Sequence, residues 1–213
     1  MEKQPQRVTR HPERASTARG DLDAVLDASV IGTLTTVADG RPLVVPMLYA
    51  RDGDRVLLHG STGAGALREA AAGAPVALCV AVLDGIVVAH TTFESSVNYR
   101  SAVVSGTCER LSGQEAKRAL DVISDRVIPG RVAEVRATNA KERAATVVLS
   151  LPVLEGRWTV KARDAWSDVP DEPSGAWVGI VPVTTTYGEP RTAPFSPAQE
   201  VPASVRMLVE AHR

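Results

Sequence analysis

Three Asp-Gly pairs, Asp39-Gly40, Asp52-Gly53 and Asp84-Gly85, separate runs of apolar and β-branched residues in the first half of this chain. Glycine reaches positive φ without steric cost and aspartate tolerates it, which is what a tight two-residue hairpin demands. The pairs therefore predict antiparallel strands joined by short turns. On this reading "VIGTLTTVADGRPLVVPMLYARDGDRVLLHG" holds three strands, and "PVALCVAVLDGIVVAHTTF" is a further hairpin about Asp84-Gly85. Pro46 interrupts the second strand; having no N–H, it belongs at an edge, a bulge or a gap facing a ligand.

Helical signals are few and short. Asp21 is placed to cap "LDAVLDAS", with Leu22, Val25 and Leu26 on one face. "STGAGALREAAAG" becomes helical after its glycines and stops at Gly73 and Pro75. A long strand is expected over residues 99–111, followed by a Ser112/Glu115 capping box and the amphipathic "QEAKRALDVISDRVI", which ends at Pro129-Gly130. Beyond the charged connector "AEVRATNAKERAA", "TVVLSLPVLEGRWTVKARD" predicts two strands and "AWVGIVPVTTTYG" a last one. Many short strands, mostly joined as hairpins and flanked by few helices, point to a mainly β fold, a small antiparallel barrel. One domain is expected over residues 1–213, with a loose arm at 1–18 and a Pro-rich tail with a short helix at 188–213.

Composition narrows the function. A net charge of −1 leaves no basic surplus for nucleic acid. Cys79 and Cys108 lie far apart inside apolar runs, with no CxxC and no zinc ligand set, so no metal site is expected and both read as reduced core thiols. "MEKQPQRVTRHPERAS" has no apolar leader core, and Asp84-Gly85 breaks the longest apolar run, so a cytoplasmic protein without a membrane span is expected. The GxSxG, HExxH and GxxxxGK[ST] motifs are missing, and "GSTGAGALRE" has glycines in the wrong spacing for a dinucleotide fingerprint.

What remains is a scatter of polar candidates. His59 ends a strand ahead of "GSTGAG", whose Ser61 and Thr62 hydroxyls suit a phosphate, although Gly63 and Gly65 equally suit a plain strand-to-helix turn. Arg100 and Ser101 open a quiet strand, as an anion seat or a solvated entrance. Lys161 and Arg163 share a strand face. Trp177 suits either a cover for a flat ring or a barrel-closing core position.

Taken in order, "PERAS", "ADGRPLVVPMLYARDGDRVLLHGS", "LDGIVVAHTTFESSVNYRSAVVSG", "TVVLSLPVLEGRWTVKAR" and "AWVGIVPV" with "YGEP" resemble the pyridoxamine 5′-phosphate oxidase-like, FMN-binding split-barrel proteins, on the branch of the nitroimidazole-resistance reductases. The likeness runs over about residues 10–190. It implies a six-stranded split barrel with flanking helices and a homodimer holding FMN at the subunit interface. It places Val45, Pro46 and Met47 beside the flavin ring, and Leu58, His59, Ser61 and Thr62 along its ring edge and phosphate. Arg100 and Ser101 would border it, and Lys161 and Trp177 would reach it from the C-terminal strands. Relatives carry a cation after the "HGS" loop where this chain has Gly65-Ala66, so Arg68 or Arg100 would have to serve the phosphate.

The reaction so implied is reduction of a small electron-poor molecule, a nitro compound or quinone, by a nicotinamide donor through FMN. His59 is the expected proton carrier. The basic C-terminal residues of true pyridoxamine phosphate oxidation are not recognisable in "PVTTTYGEPRTAPFSPAQ". A non-catalytic flavin binder is the alternative, as is a split barrel holding a deazaflavin or haem. For haem, His59 or His90 would have to ligate iron, and the sequence singles out neither.

Overall fold

The computed structural model describes residues 8–169 and 175–212. Its chain begins with a 3-10 turn (Pro12–Arg14), the two-residue strand β1 (Ala15–Ser16) and helix α1 (Arg19–Asp27). The described part of the expected loose arm is thus tied down. The Ser16 hydroxyl donates to Asp21, which sits in the first turn of α1 and is not its cap, because the helix starts two residues earlier. Leu22, Val25 and Leu26 are buried as the spacing predicted.

Asp39 and Gly40 both take positive φ, 51° and 72°, and turn strand β2 (Ile31–Ala38) into β3 (Arg41–Asp52). The second turn falls one residue later than the dipeptide: Asp52 pairs with Arg55, at the start of β4 (Arg55–Ser61). Helix α2 (Gly65–Ala71) follows, then the long β5 (Pro75–Val88), β6 (Ser96–Thr107) and the short β7 (Glu109–Arg110). Next come α3 (Gly113–Val127), α4 (Arg131–Glu134), α5 (Ala140–Ala144), β8 (Thr146–Pro152), β9 (Trp158–Arg163), β10 (Gly179–Pro182) and α6 (Ala203–Glu210). No helix among the described residues is long and apolar enough to cross a membrane.

Asp84-Gly85 makes no hairpin. β5 runs straight through it, and the register against β6 slips there as a bulge. β10 pairs along the other side of this stretch, with Pro182 opposite Gly85. A Cβ on Gly85 would stand 3.1 Å from the Ile180 side chain and 3.3 Å from the Val181 carbonyl. The glycine therefore serves close approach between strands, its other common role. The Ser112/Glu115 box also fails: Ser112 is the N-cap by position but makes no capping bond. The Glu115 carboxylate accepts instead from Arg55 at 2.7 Å.

Among the described residues the sheet has ten strands, in the order β1-β9-β6-β5-β2-β3-β4-β8-β7, with β10 on β5. All the pairings are antiparallel. The longer strands β2–β6 and β8 make the expected barrel, in which β6 packs against β8. Two clusters form the core. The larger one joins α1 to the barrel interior through Leu26, Leu34, Tyr49, Leu58, Leu78 and Leu149. The smaller lies under α3, around Ala50, Leu57, Ile123 and Val148. The buried Tyr49 hydroxyl donates to the Leu26 carbonyl at 2.6 Å, fastening the end of α1 to β3.

Candidate functional site

Strand β3 changes partner along its length. Residues 41–48 pair with β2, but only residues 49–52 pair with β4, the last pair being Tyr49 with Leu58. Past that branch point β4 continues with β8 alone. One backbone edge of β3 thus stands without a strand partner beside Val45, Pro46 and Met47. Pro46 is tolerated there for the reason its sequence position suggested: a missing N–H on a half-paired strand leaves less of the ladder unsatisfied.

His59 is the first residue of β4 beyond the branch. Side chains alternate along a strand, so His59 falls on the face of Leu57, toward α3, while Leu58 is fully buried in the barrel core. The His59 Nδ1 atom is buried with no hydrogen-bond partner. Burial lowers the pKa of this imidazole and favours its neutral form. Gly60 lets α2 close in, since a Cβ there would stand 2.4 Å from the Leu67 side chain.

The loop after β4 satisfies itself. The Ser61 hydroxyl accepts from the Gly63 N–H at 3.3 Å, and the Thr62 N–H donates to the Ala145 carbonyl at 3.1 Å. Arg68 is exposed, next to Glu69 at 3.4 Å. It lines an open groove with Arg41, Leu43, Asp39 and Glu69. Arg41 was not singled out from sequence, because its position at a strand start carries no local signal.

Arg100 grips Asp84 with two parallel contacts, Nη2 to Oδ1 at 2.7 Å and Nε to Oδ2 at 3.0 Å. This hydrogen bond raises the guanidinium pKa further. The bulge that displaced the expected hairpin is what brings Asp84 there. Ser101 lies on the opposite face, its hydroxyl donating to the Lys161 carbonyl at 3.4 Å, and the Lys161 ammonium reaches the Arg10 carbonyl at 3.0 Å. Trp177 is exposed, its ring lying over Gly179. The residues expected around one flavin are therefore divided by the pleat: Val45, Met47, Leu58 and Arg100 on the barrel side, Pro46 and Ser101 outside.

The outer side is unusual in its own way. Ile31, Val37, Val44, Leu48 and Leu83 are all exposed on it. Register places Leu48 opposite Ile31, Val44 opposite Thr35 and Cys79 opposite Thr33, and no charged residue of β2, β3 or β5 falls on that side between these positions. Cys79 is exposed there rather than in the core, while burial pushes the Cys108 thiol up to about 11. His90 sits in the turn between β5 and β6, its Nε2 3.0 Å from Glu94 and its Nδ1 buried without a partner.

A second cavity, of about 670 Å³, opens between the α1–β2 turn, β5, β6, the end of α3 and the C-terminal segment. Arg100, Arg126, Tyr187 and His212 line it.

The architecture is that of an antiparallel split barrel with a branched strand. Residues 18–157 match the family profile described as pyridoxamine 5′-phosphate oxidase, and the chain belongs to that family. The FAD and haem binding protein from Mycobacterium smegmatis is 44% identical, with a TM-score of 0.88, over 92% of this chain and 97% of that one. The flavocytochrome Anf3 from Azotobacter vinelandii is 28% identical, with a TM-score of 0.85, over 97% and 95%. A candidate 5-nitroimidazole antibiotic resistance protein from Bacteroides thetaiotaomicron shares the fold at 19% identity and a TM-score of 0.56, over 69% and 85%. None of the curated proteins matches this chain.

Proposed function

We propose that this protein is a flavin-binding redox protein with haem as a second cofactor. The observation that carries the reading is the 44% identity, over 92% of the chain, to a protein that binds FAD and haem. The site's own residues fit a flavin. The open edge of β3 offers backbone groups to the polar rim of a flat heterocycle. The orphaned Nδ1 of His59 is a buried polar atom that such a ligand would satisfy. Haem asks for a separate cavity of cofactor size, and the one bordered by α1, α3 and the C-terminal segment supplies it.

The flavin we propose is FAD rather than the FMN expected from the family resemblance. A terminal phosphate monoester wants a free cation. Here the loop 63–66 has none, Arg68 stands beside Glu69, and Arg100 gives two of its three nitrogens to Asp84. When bound, the flavin supplies hydride or single-electron exchange and the haem single-electron chemistry at iron. The protein's part is to seat them and manage protons. His59, neutral through burial, is the proton acceptor beside the branch. A second copy of the chain, packed on the charge-free outer face, would exclude water from the gap. The reaction proposed is transfer of electrons from a nicotinamide donor to a small electron-poor acceptor.

The test is the visible spectrum of the purified protein, followed by release of the bound flavin and its identification. Extracted FAD with a Soret band supports the reading. Extracted FMN restores the earlier expectation, and failure to take up any flavin removes the reading altogether. Bleaching by NADH or NADPH beyond that of free FAD supports the nicotinamide donor.

A further inference from the structure

Resting on the haem-binding reading above, we propose that His212 is the ligand of the haem iron, in the cavity beside α3. The cavity volume of about 670 Å³ lies within the range of ~300–1,000 Å³ usual for cofactor sites. Val30, Val82, Val127, Val183 and Leu208 give it an apolar wall for the face of a porphyrin, while Asp27, Ser29, Thr184 and Thr185 line its polar part. Arg100 and Arg126 border it, and guanidinium groups suit propionate carboxylates. Asp84 occupies the Nε and Nη2 atoms of Arg100, leaving Nη1 for another acceptor. Arg126 donates to the Asp27 and Ser29 carbonyls.

Ligation demands more than space. The imidazole must present a lone pair on one nitrogen, with the proton held on the other. The His212 Nδ1 atom is 2.8 Å from the Leu208 carbonyl oxygen. A carbonyl can only accept, so the proton sits on Nδ1 and Nε2 keeps its lone pair. Metal-binding histidines are commonly fixed this way, through a backbone carbonyl on the second nitrogen. Tyr187 steadies the ring, with centroids 4.4 Å apart and planes inclined by 47°, and the Tyr187 N–H donates to the His212 carbonyl at 3.2 Å.

None of the other three histidines lines this cavity. His11 pairs with Glu13 in the N-terminal arm. His90 sits beside Glu94, in the turn between β5 and β6, and His59 faces α3 from β4. Sequence reading left His59 and His90 as the haem candidates and singled out neither; His212 is a tail residue that only the returning C-terminal segment brings to the cavity.

Haemin titration of the full chain, followed in the Soret region, tests the assignment. The wild type and His90→Ala are expected to take up haemin with one spectrum. His212→Ala is expected to lose more than about tenfold in affinity and to regain the wild-type band with added imidazole. Retained flavin and an unchanged far-ultraviolet circular dichroism spectrum would show that the variant is folded. A His212→Ala protein with wild-type affinity and spectrum overturns the assignment and leaves the haem reading standing, as does a loss confined to His90→Ala. A wild type that takes up no haemin overturns the haem reading itself.

Discussion

Burial without a counter-charge holds His59 below its ordinary pKa, and this sets a pH dependence. In the unfolded chain the group takes up a proton near about pH 6.5; in the folded protein it does so only at lower pH. Its contribution to stability is therefore complete above that value and is lost as the pH falls toward the folded pKa. Urea midpoints measured downward from about pH 8 should drop more steeply for the wild type than for His59→Gln. Tyr49 is the second residue with a single strong consequence, since its hydroxyl satisfies the buried end of α1. Tyr49→Phe is expected to cost about 1–3 kcal/mol in denaturant unfolding, because the Leu26 carbonyl loses its donor. His59 was legible in the sequence as a candidate ahead of a glycine loop, although β4 runs on past it to Ser61. The pairing of Arg100 was not, since its partner comes from a bulge sixteen residues away that reads locally as a turn.

The elements divide along the same line. The first two Asp-Gly pairs mark turns because no strand arrives beside them; the second is met only by side chains, Arg19 donating to the Gly53 carbonyl at 2.9 Å. The third does not, because β10 arrives from the far end of the chain and occupies the edge beside it. Helices α1, α2 and α3 were legible in the sequence, while the short α4 and α5, read as a charged connector, and the α3 cap were not: Glu115 faces a choice between its own helix start and Arg55, and the strand arginine wins. Contact between α2 and β4 depends on a missing side chain. Gly60→Ala would press on Leu67, which is buried, and is expected to destabilise the protein by ~1–3 kcal/mol, read as a lower thermal midpoint.

At the scale of the molecule, the barrel was legible from turns and strand lengths, but the sidedness of its sheet was not. Which residues share a face depends on register, and register separated the expected flavin neighbours onto two faces. The same register gathers Ile31, Val37, Val44, Leu48 and Leu83 outside, a patch larger than scattered exposure explains. The proposed second copy would cover it. Light scattering on the eluting protein should then give twice the chain mass, and Val44→Asp should return it to a single chain with its circular dichroism unchanged. A wild type that elutes at one chain mass would remove this proposal.

The branching of β3 at Tyr49 also has a meaning in time. Two ladders meet on one strand: the amides of residues 49–52 lie in the ladder with β4, and residues 41–48 in the ladder with β2. Those of the preceding stretch that turn away from β2 answer only to solvent or to whatever fills the gap. Deuterium uptake should therefore alternate along residues 41–48, slow at amides bonded to β2 and fast at those on the open edge. Loading the protein with flavin should slow the fast amides and leave the slow ones where they were, making the strand its own record of occupancy.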